Sequence, residues 1–146
     1  MLKYDLPGYC KARTWLAAFA LYLCAGYSAG ADRPGLVLQV SENDPQLWNL
    51  VLNIAQNAPK NLRQPLDITV VAFGPGLNML TAESTVAQRL EAASAKGVNF
   101  RACGMTMKKL KLRDEDLYPN ERIKRVDGGI TEIMRLQKAG WSYIRP

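Results

Sequence analysis

From residue 36 to the C-terminus, short apolar runs alternate with stretches whose apolar residues recur at helical spacing. That is the pattern produced when strands and helices take turns along a chain. Residues 36–40 (LVLQV) predict a first strand, ended by the polar loop Ser41-Glu42-Asn43-Asp44. Asp44 can accept a free backbone N–H and Pro45 fits the first helical position, so a helix is expected next. Its inward side would carry Leu47, Leu50, Val51 and Ile54, and it would stop near Pro59. Residues 66–73 (LDITVVAF) are apolar and rich in β-branched side chains, as a strand covered on both faces should be. They run into Gly74-Pro75-Gly76, where glycine allows a positive φ or a close backbone approach.

A helical turn over residues 77–80 precedes a second helix marked by Val86, Leu90 and Ala93, with Gly97 in a favoured closing position. Residues 98–102 read as a third strand that delivers Cys103 at its carboxyl end. Gly104 then opens a short basic helical stretch through Lys108, Lys109 and Lys111. After a polar turn over residues 113–120, residues 122–126 predict a fourth strand and residues 129–139 a helix. Ile130, Ile133, Met134 and Gln137 would form the inward stripe of that helix, and residues 141–144 a last strand. Repeated strand–helix alternation of this kind indicates an α/β fold with a mostly parallel sheet of about five strands.

The first residues follow a different rule. Lys3, Lys11 and Arg13 make a positive start, and the uncharged run TWLAAFALYLCA over residues 14–25 follows it. A spanning helix needs about 20 apolar residues, so this run is too short to cross a bilayer. Ala29-Gly30-Ala31 then offers small side chains where a signal peptidase inspects them. The expectation is a signal peptide over residues 1–31, cut before Asp32, and one domain over residues 32–146 in the periplasm without a stable membrane anchor. An uncleaved anchor and a lipidated Cys24 are the alternatives, the latter opposed by the bulky Leu23 beside it.

Cleavage removes three cations and one carboxylate and lowers the net charge from +6 to +4. A mildly basic chain without aromatic residues interleaved among its cations is not built to bind nucleic acid, though the charge suits small anions. Cleavage also removes Cys10 and Cys24 and leaves Cys103 alone. A lone cysteine in an oxidising compartment points to a reactive thiol or an intermolecular bond, or else to a small buried apolar residue.

Absences narrow the chemistry. The chain has no histidine, so Ser-His-Asp and Cys-His catalytic units cannot be assembled. One cysteine cannot supply a zinc cluster, and no Cys-x-x-Cys, Gly-x-Gly-x-x-Gly or phosphate-binding loop is present. No metal and no cofactor is therefore expected. The carboxylates Asp114-Glu115-Asp116 read as a solvated turn. In parallel sheets the ligand crevice lies outside the carboxyl ends of the strands. The loops carrying Asn43, Gly74 with Gly76, and Cys103 with Gly104 and Thr106 should gather there. At a helix start, free N–H groups favour thiolate over thiol, and a thiolate can take up a sulfane sulfur as a persulfide without histidine or metal.

Taken together, SENDP with a following Trp-Asn, VVAFGPG, VNFRACGMTM and GGITEIMRLQKAGWSYIRP resemble the DsrE/DsrF-like family associated with sulfur relay. The resemblance covers nearly all of the chain after residue 31. It implies a three-layer α/β sandwich, homo-oligomerisation, and sulfur trafficking where a cysteine ends the third strand, the position of Cys103. The export signal departs from the cytoplasmic relay members.

The resulting expectation is an exported sulfur carrier rather than a conventional enzyme, with Cys103 as acceptor. Gly104 and Thr106 would contribute donors to the bound sulfur, and Asn43, Gly74 and Gly76 would shape the opposite wall. Its partners would be an inorganic or protein-bound sulfur donor and an acceptor. The alternatives are a binding module for a small anion or metabolite without covalent chemistry, and a structural oligomer subunit.

Overall fold

The computed structural model of the protein describes residues 34–146, and the expected signal peptide lies outside the described residues. Among the described residues, five strands and four helices alternate in chain order: β1 (Gly35–Val40), α1 (Pro45–Leu62), β2 (Asp67–Ala72), α2 (Ala87–Ala95), β3 (Asn99–Cys103), α3 (Gly104–Leu110), β4 (Ile123–Val126), α4 (Gly129–Lys138) and β5 (Ser142–Ile144). Short 3₁₀ turns occupy Gly74–Leu80 and Asp114–Asp116. The strands pair in the order β4-β3-β2-β1-β5, and every pairing is parallel. The α/β class, the parallel sheet and the strand number expected from the pattern are all present.

Parity along each strand divides the side chains between two layers. Leu36, Leu38, Val40, Ile68, Val70, Ala72, Phe100 and Ala102 face the layer formed by α1, α2 and α3, which contributes Trp48, Val51, Leu52, Leu90, Ala93 and Met107 to one continuous core. Val37 and Val71 face the opposite way, against Ile133 and Leu136 of α4, flanked by Phe73 and Trp141. Helices on both faces of one sheet make the three-layer sandwich. Because both faces are covered, β1 is buried along its whole length and β2 from Ile68 to Ala72, with no alternation of buried and exposed positions.

Three local details differ from the sequence reading. The inward stripe of α1 is Trp48, Val51, Leu52 and Ala55, whereas Leu50 points outward. The helix also passes through Pro59 and ends at Leu62, with Arg63 left-handed at its cap. A proline ring removes one ladder hydrogen bond, and in the closing turn of an 18-residue helix that loss is small beside the packing upstream. In α4 the buried stripe is Gly129, Ile133 and Leu136, while Ile130 and Met134 are each 54% exposed. The helix is turned so that its glycine, not an isoleucine, meets the end of β3.

Candidate functional site

The connections of β3 and β4 decide where the crevice opens. These neighbours pair with Cys103 opposite Val126, but the chain leaving β3 turns into α3 on one face while the chain leaving β4 turns into α4 on the other. Adjacent parallel strands whose following helices diverge leave a gap at their carboxyl ends. Cys103 is the last residue of β3 and stands in that gap.

One backbone amide meets its sulfur in hydrogen-bond geometry. The N–H of Gly129, the first residue of α4, points at Cys103 Sγ from 3.2 Å. Burial by itself raises the thiol's pKa; the Thr106 hydroxyl, the Thr106 N–H, the Gly129 N–H and the Met105 N–H together outweigh it and set the pKa below the ordinary thiol value. All four are neutral groups, so the sulfur is stabilised by oriented dipoles and not by a cation. The expected Lys108, Lys109 and Lys111 lie exposed toward the other end of α3.

The backbone makes this enclosure possible. A Cβ on Gly129 would stand 3.0 Å from the Phe73 ring and 3.3 Å from Cys103 Cβ, so only glycine lets α4 begin this close to the thiol. Gly104 is buried beneath the Val126 carbonyl and the Arg125 side chain. Gly74 adopts φ +54° at the end of β2, and its N–H donates to Thr106 Oγ1 at 3.0 Å, tying the loop after β2 to the start of α3. Cys103, Gly104, Thr106 and Gly74 thus form one neighbourhood. Cys103 itself is 6% exposed.

Two of the residues expected nearby do other things. Gly76 packs on the backbone of Val40 and Ser41 and donates its N–H to the Ser41 carbonyl, a seam between the loops after β1 and β2. Asn43 lines a separate cavity of about 740 Å³ with Trp48, Asn78, Thr81, Glu83 and Ser84. Conversely, Gly129 and Phe73 were not singled out from the sequence as parts of the site. The doublet Gly128-Gly129 just after a predicted strand was the available signal.

A family model for the DsrE/DsrF-like family matches residues 36–146. The chain belongs to this family. None of the curated proteins matches it. Among solved structures it is similar to the protein of unknown function MTH1491 from Methanobacterium thermoautotrophicum, at 30% identity and a TM-score of 0.72, over 77% of this chain and 99% of that one. The DsrE/DsrF-like family is associated with sulfur relay, and that association applies to this chain at the level of the family.

In this DsrE/DsrF-like domain the ground beside the thiol is ionic. A hollow of about 370 Å³ is lined by Arg125, Asp127, Gly128, Thr131, Glu132 and Arg135. Glu132 receives two hydrogen bonds of 2.8 Å from Arg135 and stands 3.9 Å from Arg101, and the Arg135 bonds hold its carboxyl below the usual carboxylate range. Among the described residues, no group of three or more metal-ligating side chains is assembled and no helix is long and apolar enough to cross a membrane.

Proposed function

We propose that this protein is an exported sulfur carrier in which Cys103 accepts a sulfane sulfur as a persulfide and hands it to a second thiol. The reading is supported above all by the placement of Cys103 at the end of β3 with the Gly129 N–H 3.2 Å from its sulfur, and by a thiol pKa below the ordinary value. The Cys103 thiolate attacks the terminal sulfur of a persulfide, polysulfide or thiosulfate donor. A sulfur–sulfur bond forms at Cys103, the donor's own sulfur–sulfur bond breaks, and the donor departs as a thiolate, a shortened polysulfide or sulfite. The sulfane sulfur changes owner without net oxidation, so no cofactor takes part. Attack by an acceptor thiolate on the outer sulfur reverses the sequence and regenerates Cys103. Gly104, Thr106 and Gly74 would border the bound sulfur.

The proposal includes removal of residues 1–31 and release into the periplasm, with the domain beginning at Asp32 and assembling with copies of itself. Mass spectrometry of the released protein should find Asp32 at its N-terminus; an intact Met1 or a lipid on Cys24 would defeat export by cleavage.

Incubation with polysulfide or thiosulfate followed by intact-mass measurement tests the transfer. The expected result is a gain of one sulfur atom, reversed by reductant and absent in Cys103→Ser. The second reading, a module that binds a small anion without covalent chemistry, is favoured by the low exposure of Cys103. An unchanged mass together with saturable binding of the anion would establish that reading and exclude the carrier.

A further inference from the structure

Three arginines stand in or beside the hollow next to the thiol, and two of them are already engaged. Arg135 gives Glu132 two hydrogen bonds of 2.8 Å, and Arg101 donates to the Phe100 carbonyl at 3.0 Å and faces the same carboxylate at 3.9 Å. Arg125 is held differently. Among the described residues its side chain forms no hydrogen bond, and its ion pair with Asp114 is 3.8 Å long with both side chains more than half exposed. A pair so open to solvent is worth little and is readily exchanged for another anion. The glycine after the cysteine lets this arginine come close: a Cβ on Gly104 would stand 3.0 Å from Arg125 Nε. Arg125 then lines the hollow of about 370 Å³ together with Val126, the register partner of Cys103, and Gly128, the residue before the amide that meets the sulfur. Of the two carboxylates on the same wall, Glu132 is neutralised by Arg135 and Asp127 opposes an anion.

We propose that Arg125 is the anion-binding residue of the thiol's crevice: its guanidinium receives the charged end of a small anionic reagent in the hollow and directs the reagent's reactive atom toward Cys103. A planar fork of N–H groups matches an oxyanion, and the donor class it selects is a sulfane sulfur carried on an oxyanion, as in thiosulfate. The inference deepens the carrier reading and rests on it for its purpose. Attack by the Cys103 thiolate on the outer sulfur forms the persulfide anion and breaks the donor's sulfur–sulfur bond, whose electron pair leaves with the SO3 group as sulfite. Charge that the donor shared between its outer sulfur and its oxygens then rests on the sulfite, beside the guanidinium. Arg125 thus acts on the donor and its leaving group, while the thiol keeps its neutral donors.

Two alkylating reagents separate selection by charge from reactivity of the thiol. Iodoacetate and iodoacetamide both alkylate a thiolate with loss of iodide, and they differ in one carboxylate. Arg125→Gln should slow alkylation of Cys103 by iodoacetate about tenfold, the loss expected of a charge-assisted hydrogen bond, and leave iodoacetamide unchanged. It should slow the gain of sulfur mass from thiosulfate by a similar factor. Arg125→Lys, which keeps the charge without the fork, should fall between. Lys124→Gln removes a cation from the next residue of β4, whose side chain leaves by the other face, and should match the wild type. Asp127→Asn should favour iodoacetate further. Equal losses with both reagents, an iodoacetate rate indifferent to Arg125, or a Lys124→Gln as costly as Arg125→Gln would overturn the inference. Loading from thiosulfate that is equally fast with and without Arg125 would remove the inference and keep the carrier; iodoacetate selected through Arg125 with no sulfur gained from any donor would sink the carrier alone.

Discussion

The two faces of the sheet are built for different ends. On the face toward α1, α2 and α3, side chains from three strands and three helices close into one apolar mass in which Leu38, Val40, Val70, Leu77, Leu80 and Phe100 are wholly buried. On the other face a single helix supplies Ile133 and Leu136 against Val37 and Val71, and the remaining positions carry Gln39, Thr69, Arg101, Cys103 and Tyr143. These polar groups are not stranded: Tyr143 donates to Gln39 Oε1 at 2.7 Å, and Gln39 in turn donates to Ser41 Oγ. The contrast teaches where each task resides. The thick layer supplies apolar burial, and the thin one leaves room for polar side chains and for backbone amides to face a sulfur.

The largest effect expected from this division is in the thick layer. Phe100→Ala should cost about 3–5 kcal/mol, because a wholly buried aromatic ring is replaced by a cavity that the surrounding strands cannot close. Denaturant unfolding measures it, and a cost below that of Ile133→Ala on the thin face would break the comparison. Next comes Gly129→Ala. Its methyl would crowd Phe73 and Cys103 Cβ, costing about 1–3 kcal/mol in strain, and would displace the amide that faces the sulfur. The thiolate should then form at higher pH than in the wild type; a loss of stability with unchanged thiol titration would show that α4 does not act on the cysteine.

The smallest effect concerns Glu132. Its folded-state pKa is depressed, so the stability it contributes is present above the ordinary carboxylate range and lost as pH falls through the lowered value. Glu132→Gln should therefore cost about 1 kcal/mol near neutral pH, with the gap to the wild type closing in acid. A gap independent of pH would remove the ionic part of that account. These three measurements, with the sulfur-loading experiment, separate stability from chemistry on the same sheet.

How much of this was legible beforehand differs from element to element. Every strand was visible to within about a residue, because a run such as ITVV is β-branched at consecutive positions, as suits a doubly covered sheet, and ends in turn residues that cannot continue it. Helix rotation was harder to read. In α4 both the set starting at Ile130 and the set starting at Gly129 have helical spacing, and the glycine looked like a boundary, not a contact. The neighbourhood of Cys103 was partly legible: Gly104 and Thr106 are sequence neighbours, and Gly74 follows the adjacent strand. Asn43 was grouped with them because every β-to-α loop lies at the same end of a parallel sheet. The loop after β1 nevertheless opens toward the cavity beside α1, while the thiol sits two strands away between β3 and β4.

The chain alone determined the class of fold, the number of its strands and their alternation with helices, the position of Cys103 at a strand end, and the absence of histidine chemistry. Those follow from local periodicity, turn chemistry and residue inventory, which involve neighbours along the sequence. Tertiary structure decided that α3 and α4 diverge to either side of Cys103, that Gly129 delivers its amide to the sulfur, and that Gly74 reaches Thr106 across the crevice. The last two join residues 26 and 32 positions apart, and such contacts are set by strand order and helix rotation, quantities that no local pattern encodes.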